Sequence, residues 1–245
     1  MNIVIFGATS AIAQAVARLY AKDGANFFLV ARKGDRLNTV ASDLRARGAQ
    51  CVTTQTADLT DRAGHAQLVA LTASTLGTID RVLLAYGTLG DQRAGETNSA
   101  LMEREIHTNF LSVASLLTEL ANVMEPVGAG NIAVIGSVAG DRGRQSNYIY
   151  GSAKAGLAAF TLGLRHRLAP RGVSVTLVKP GFVDTPMTEA IAKRGPLWAA
   201  PDRVARDIRR GLDHGVAVIY TPWFWRWIML IVCAVPDAIF RRIRL

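Results

Sequence analysis

Tyr150 and Lys154 stand four residues apart in the stretch Tyr150-Gly151-Ser152-Ala153-Lys154. On a helix that spacing puts both side chains on one face, about one turn apart. A phenol with a pKa near 10 is a poor acid–base group at neutral pH, but a neighbouring ammonium favours the phenolate and lowers that value. Bringing it down by two to three pH units corresponds to roughly 3–4 kcal/mol. A hydroxyl that positions a substrate carbonyl would complete the set. Ser137 lies thirteen residues before Tyr150, at the end of an apolar, strand-like run. Tyr-x-x-x-Lys alone recurs by chance; a serine at that distance, on the carboxyl edge where open sheets bind ligands, makes the set far more specific.

A second group of residues is suited to holding an anion. Gly7-Ala8-Thr9-Ser10-Ala11-Ile12-Ala13 joins the first apolar run to a helical segment. In such a turn a glycine lets the chain bend tightly, and free amides at the helix N-terminus hold a pyrophosphate. Only Gly7 survives from a G-x-x-x-G-x-G spacing, with the smallest replacement, alanine, at 11 and 13; an ordinary strand–helix turn would read similarly. The second apolar run ends in Ala31-Arg32-Lys33. An acid there would bond both ribose hydroxyls of NAD, whereas Arg32 suits a 2′-phosphate, so NADP(H) is favoured and NAD(H) stays possible. Asp58, followed by Leu59, comes just after the third run, where it would accept from an adenine amino group or simply cap a helix.

The elements that must carry these residues alternate regularly. Strand-like runs fall at Asn2–Phe6, Asn26–Ala31, Gln50–Thr56, Arg81–Ala85, Asn131–Gly136, Val173–Lys179 and Val216–Tyr220, with helical stretches between them such as Ala11–Lys22, Leu101–Val123 and Tyr148–Leu168. Near-continuous apolar strands separated by helices predict an α/β fold with a doubly wound parallel sheet of Rossmann type. The 245 residues, 50% hydrophobic and 19% charged, exclude disorder and suffice for one large core. Two cysteines, Cys51 and Cys233, make neither a disulfide framework nor a four-ligand zinc site, and His65, His107, His166 and His214 lack metal-ligand spacing. No metal is expected, nor a signal peptide at the N-terminus, and the expected location is cytoplasmic. The net charge of +9 points to an anionic partner. Arg203, Arg206, Arg209 and Arg210 share a helical stretch with Asp202 and Asp207, a pattern of a solvated or phosphate-facing surface, so no nucleic acid is expected.

The last 25 residues break the alternation, dividing the chain into a domain over 1–220 and a tail over 221–245. Trp223-Phe224-Trp225-Arg226-Trp227 leads an apolar run to Val235, then Pro236, then Ile239, Phe240 and Ile243 set against Arg241, Arg242 and Arg244. The run is too short to span a bilayer, which takes roughly 20 residues. It suits an interfacial helix on the inner face of a cytoplasmic membrane, or a segment packed on the core or a subunit interface.

These residues resemble the short-chain dehydrogenase/reductase family over nearly the whole chain. The resemblance implies a catalytic tetrad of Asn109, Ser137, Tyr150 and Lys154. Tyr150 would donate a proton to a carbonyl as hydride arrives from the nicotinamide, Lys154 would bond the nicotinamide ribose, Ser137 would fix the carbonyl and Asn109 would support a proton-relay water. Pro180-Gly181-Phe182-Val183-Asp184-Thr185 resembles the family's turn around the nicotinamide. Two departures touch cofactor contact: Phe6 replaces the usual threonine before Gly7, and the family's Asn-Asn-Ala-Gly reads Leu84-Ala85-Tyr86-Gly87. Homo-oligomers are usual in the family. Ala85–Asp91, Ser137–Arg142, Tyr150–Leu157 and the tail resemble reductases of polyprenyl-phosphate-linked 2-keto sugars, which act with an oxidase partner. A reductase of a soluble ketone or acyl chain, or a non-catalytic dinucleotide sensor, are the alternatives; replacing Tyr150 by Phe separates the last from an enzyme.

Overall fold

Strand residues that are apolar on both faces need cover on both faces, and the computed structural model, which describes residues 1–191 and 195–242, supplies it. The strands are β1 (Asn2–Phe6), β2 (Asn26–Ala31), β3 (Cys51–Thr56), β4 (Arg81–Leu84), β5 (Asn131–Ile135), β6 (Ser174–Pro180), β7 (Phe182–Val183), β8 (Trp198–Ala199) and β9 (Val218–Thr221). The helices are α1 (Ala11–Ala21), α2 (Gly34–Ala46), α3 (His65–Leu76), α4 (Gln92–Thr97), α5 (Ser99–Ile106), α6 (Ser112–Val127), α7 (Tyr148–Leu168), α8 (Pro201–His214), α9 (Trp225–Ala234) and α10 (Asp237–Phe240). Seven strands form one parallel sheet in the order β3-β2-β1-β4-β5-β6-β9, and β7 pairs with β8 apart from it. The chain winds outward from β1 to β3, then returns to β4 on the other side of β1. That reversal opens a crevice at the carboxyl ends of β1 and β4.

Alternation along β1 shows how the two cores are divided. Ile3 and Ile5 join a cluster with α1, α2 and α8, whereas Val4 and Phe6 join one with α3, α6 and α7. The helical run Ser99–Val127 is long and apolar enough to cross a membrane. Its residues Val113, Leu116, Leu117 and Leu120 are instead buried against the sheet. On α8, Arg209 donates to the Leu19 carbonyl at 2.9 Å, pairs with Asp23 and lies 4.9 Å over the Tyr20 ring, so it ties α8 to α1.

Two predicted boundaries moved for local reasons. The stretch expected as one helix over 101–123 is α5 and α6 joined by a π-turn, His107–Leu111. The last strand was expected at 216–220 and begins at Val218, because the Val216 amide donates to the Gly211 carbonyl at 3.0 Å in the turn that ends α8. That turn passes through Gly215 in the left-handed region.

The tail continues directly from β9. On α9, Trp225 and Met229 are buried with Val138, while Trp227, Leu230 and Ile231 are exposed. Arg142 holds its C-terminal end, donating to the carbonyls of Val232 at 2.6 Å, Cys233 at 3.2 Å and Val235 at 2.6 Å, and lying 3.7 Å over the Phe240 ring. Ile243 and Arg244, part of the expected basic stretch, lie outside the described residues.

Candidate active site

β5 delivers Ser137 to the carboxyl edge of the sheet, where its Oγ accepts the Ala139 amide at 3.1 Å and caps the turn Val138–Gly140. That turn rests on the start of α7. A Cβ at Gly151 would lie 2.9 Å from the Ala139 carbonyl, so glycine there permits the close approach. The first turn of α7 is capped from another element, since the Ile149 amide donates to Gln92 Oε1 at 3.1 Å. Tyr150 is thereby presented beside Ser137, which hydrogen-bonds its phenol.

The ionisation of this pair differs from the sequence expectation. Burial pushes the Tyr150 phenol up to about 12; the Ser137 hydrogen bond opposes this and the Glu105 carboxylate adds to it. Desolvation therefore dominates, although the Lys154 Nζ lies 5.6 Å from the ring centroid. Lys154 is itself buried, donates to the Ile135 carbonyl at 3.2 Å, and is pulled down by burial to about 8, with Glu105 acting against that. At neutral pH the phenol holds its proton, the form required of a proton donor.

Asn109 lies fully buried in the π-turn between α5 and α6. Its Nδ2 donates to Glu105 Oε1 at 2.7 Å, to the Glu105 carbonyl at 3.2 Å and to Thr88 Oγ1 at 3.2 Å, while Oδ1 accepts the Thr88 amide at 3.2 Å. Thr88 closes the set by donating to Glu105 Oε2 at 2.7 Å. Glu105 and Thr88 were not among the site residues expected from the sequence, Thr88 entering only within the stretch Ala85–Asp91. The available signal was a carboxylate one helical turn before Asn109.

A trench of about 850 Å³ runs along the crevice, lined by Gly7, Thr9, Ser10, Arg32, Asp58, Leu59, Ala85, Tyr86 and Gly87, with Arg36 as an addition. A pocket of about 150 Å³ that Tyr150 also lines collects Ile12, Ser137, Pro180, Gly181, Val183 and Thr185. Ala11, Asn109 and Lys154 line none of these spaces: Ala11 opens α1, and the other two lie behind the surface. Gly7 has φ +82°, and a Cβ there would lie 2.8 Å from Tyr86 Cβ and 2.9 Å from the Ala85 carbonyl. Tyr86, in the departure after β4, is half-buried with its hydroxyl 3.3 Å from Ser112 Oγ. Asp58 Oδ1 accepts the Thr60 amide at 2.9 Å and its hydroxyl at 2.8 Å, bonds that hold its carboxyl below the usual range.

These residues fit a dinucleotide. Ser10 at the N-cap of α1 makes no side-chain hydrogen bond to the helix, which leaves amides of the first turn for a pyrophosphate. Arg32 and Arg36 occupy the end of the trench next to β2. A third cavity, of about 700 Å³, opens on Tyr150 and is walled largely by apolar groups, among them Leu101, Met102, Ile149, Phe182, Ile228 and Met229.

Known proteins resemble this chain. The family model described as short chain dehydrogenase matches residues 1–195. An uncharacterized oxidoreductase of Mycobacterium tuberculosis is 42% identical over 240 residues, covering 98% of this chain and 96% of the relative. One of Streptomyces coelicolor is 35% identical over 243 residues, covering 99% and 95%. A crystal structure of a variant actinorhodin polyketide ketoreductase with NADPH superimposes with a TM-score of 0.80 at 25% identity, covering 89% of this chain and 94% of that one. With the family model matched over most of its length, the chain belongs to the short-chain dehydrogenase/reductase family and is an NAD(P)-dependent oxidoreductase.

Proposed function

We propose that the protein is an NADPH-dependent carbonyl reductase acting on a polyprenyl-phosphate-linked 2-keto sugar. The observation that carries this reading is the largely apolar cavity of about 700 Å³ that reaches Tyr150 and is partly walled by α9. It suits a substrate with a substantial apolar part. The stretches Ala85–Asp91, Ser137–Arg142 and Tyr150–Leu157, and the tail, resemble decaprenylphosphoryl-2-keto-ribose reductase. That enzyme works on the product of an oxidase. The exposed Trp227, Leu230 and Ile231 beside Arg226 add a means of lying on an anionic bilayer at the cytoplasmic face.

When bound, a reduced nicotinamide supplies the hydride that the carbonyl carbon receives. Ser137 holds the carbonyl oxygen by hydrogen bonding, and Tyr150 passes it the phenolic proton as the alcohol forms. Lys154 bonds the ribose and steadies the phenolate left behind; Asn109 supports the water through which that proton is restored. Gly7, Thr9, Ser10, Ala11 and Ile12 would hold the diphosphate, and Arg32 would take a 2′-phosphate. Asp58 and Leu59 would border the adenine, Ala85, Tyr86 and Gly87 line the trench, and Pro180, Gly181, Val183 and Thr185 would hold the nicotinamide. The expected assembly is a homo-oligomer.

A second reading, reduction of an acyl or polyketide ketone, draws on the ketoreductase likeness. Titration with NADPH and then NADH, followed by tryptophan-to-nicotinamide energy transfer, tests the cofactor; NADPH is expected to bind more tightly. Oxidation of NADPH with a polyprenylphosphoryl 2-keto-pentose tests the substrate. Tyr150→Phe is expected to lower kcat by about 100-fold or more while NADPH affinity holds. Turnover of simple ketones alone would favour the second reading, and unchanged turnover by Tyr150→Phe would remove Tyr150 from the mechanism.

A further inference from the structure

Arg142 and Arg144 leave the same turn with opposite fates. Arg142 is engaged by three carbonyls at the end of α9 and by the Phe240 ring. Arg144 lines both the 700 Å³ cavity and the 150 Å³ pocket beside Tyr150. Its Nε is buried with no hydrogen-bond partner among the described residues. The carboxylate whose field reaches it, Asp141, is already bonded by Lys179 at 2.5 Å and by the Tyr220 hydroxyl at 2.9 Å. Burial accordingly lowers the Arg144 pKa. Asn147, which lines the same two spaces, likewise has a buried Oδ1 without a partner.

A half-buried guanidinium whose nearby carboxylate is already engaged by other groups is costly, and buried charges are ordinarily paired. Its placement at the junction of an apolar cavity and the proton donor gives that cost a use. We propose that Arg144 is the receptor for an oxyanion, phosphate or carboxylate, on an amphiphilic ketone whose apolar part fills the 700 Å³ cavity. Asn147 offers an acceptor to a neighbouring substrate hydroxyl. Planar guanidinium geometry suits either oxyanion, and a charge-assisted bond in a poorly hydrated site discriminates strongly against a neutral analogue. The assignment rests on the carbonyl-reductase reading for the ketone but not for the anion.

The test uses the full chain loaded with NADP⁺ and three probes: farnesyl phosphate, farnesoate and farnesol. Calorimetric titration is expected to show farnesyl phosphate or farnesoate binding about 10- to 100-fold more tightly than farnesol. The two acids separate a phosphate source from a carboxylate source. Arg144→Gln is expected to erase the preference and Arg144→Lys to retain part of it, with NADP⁺ affinity unchanged in both. Equal binding of farnesol and both acids by the unaltered protein overturns the proposal, as does an equal loss of all three probes in Arg144→Gln. Should that variant fail to fold, the unaltered protein and Arg144→Lys decide. Arg144-dependent anion binding without reduction of any ketone would uphold the oxyanion site and sink the reductase reading. Reduction of charged and neutral ketones alike would do the reverse.

Discussion

Glu105 places a carboxylate near enough to the Tyr150 phenol and the Lys154 ammonium to bias the ionisation of both. Its field raises the pKa of both Tyr150 and Lys154, while its oxygens hold Asn109 and Thr88. Other titratable or charged groups around these cavities are Asp91, Arg104, His107 and Arg144, with Arg32, Arg36 and Asp58 further along the trench. Lys154 loses its charge as pH rises through about 8, so reduction should weaken on that alkaline side while the Tyr150 phenol still holds its proton. Glu105→Gln removes the field with nearly the same shape. Lys154 should then deprotonate at lower pH, and the alkaline limb of kcat should move toward neutrality, with rates at mildly acidic pH little changed. A pH profile of kcat checks this; an unmoved limb would leave Glu105 with a purely structural role.

At the scale of elements, the site depends on how the ends of helices are held. α7 begins under Gln92, from α4, rather than under its own N-cap Asn147, and the π-turn between α5 and α6 carries Asn109 among buried groups. Extra residues in a helical turn are common where a side chain must be re-aimed for function. α9 depends on Arg142. Arg142→Ala removes a charged donor from three carbonyls and should cost about 1.5–3 kcal/mol. The expected signs are a lower denaturant midpoint, faster proteolysis of the tail and a raised KM, since Ile228, Met229 and Val232 wall the cavity. Unchanged proteolysis and KM would mean that α9 stays seated without it.

For the whole molecule, one helix has two apolar faces. The inner face of α9 buries Trp225 and Met229; the outer face leaves Trp227 57%, Leu230 61% and Ile231 68% exposed. On a chain of net charge +9, an exposed aromatic and aliphatic face beside arginines favours an anionic lipid surface. Replacing Trp227, Leu230 and Ile231 by serine should abolish sedimentation with phosphatidylglycerol vesicles and leave Tm and NADPH affinity nearly unchanged, because these side chains contribute little to the core. Retained sedimentation by that variant, or none by the unaltered protein, would rule out the membrane role. A fall in oligomeric size by light scattering would assign the face to another copy of the chain.

Much of the architecture was legible in the sequence because it depends on local patterns. Runs of apolar β-branched residues gave the strands of the main sheet to within two residues, and the alternation of strands with helices gave its parallel winding. The Tyr150–Lys154 spacing lies within a single helix, which is why it could be read at sight. Thr88, Gln92 and Arg144 could not be read in this way, since each acquires its meaning from a residue on another element or from a cavity between elements, and for Glu105 only its one-turn spacing to Asn109 was local. The same holds for ionisation. Spacing alone predicted a lowered Tyr150 pKa, but desolvation is a sum over everything packed around the phenol, and only the folded chain determines that sum.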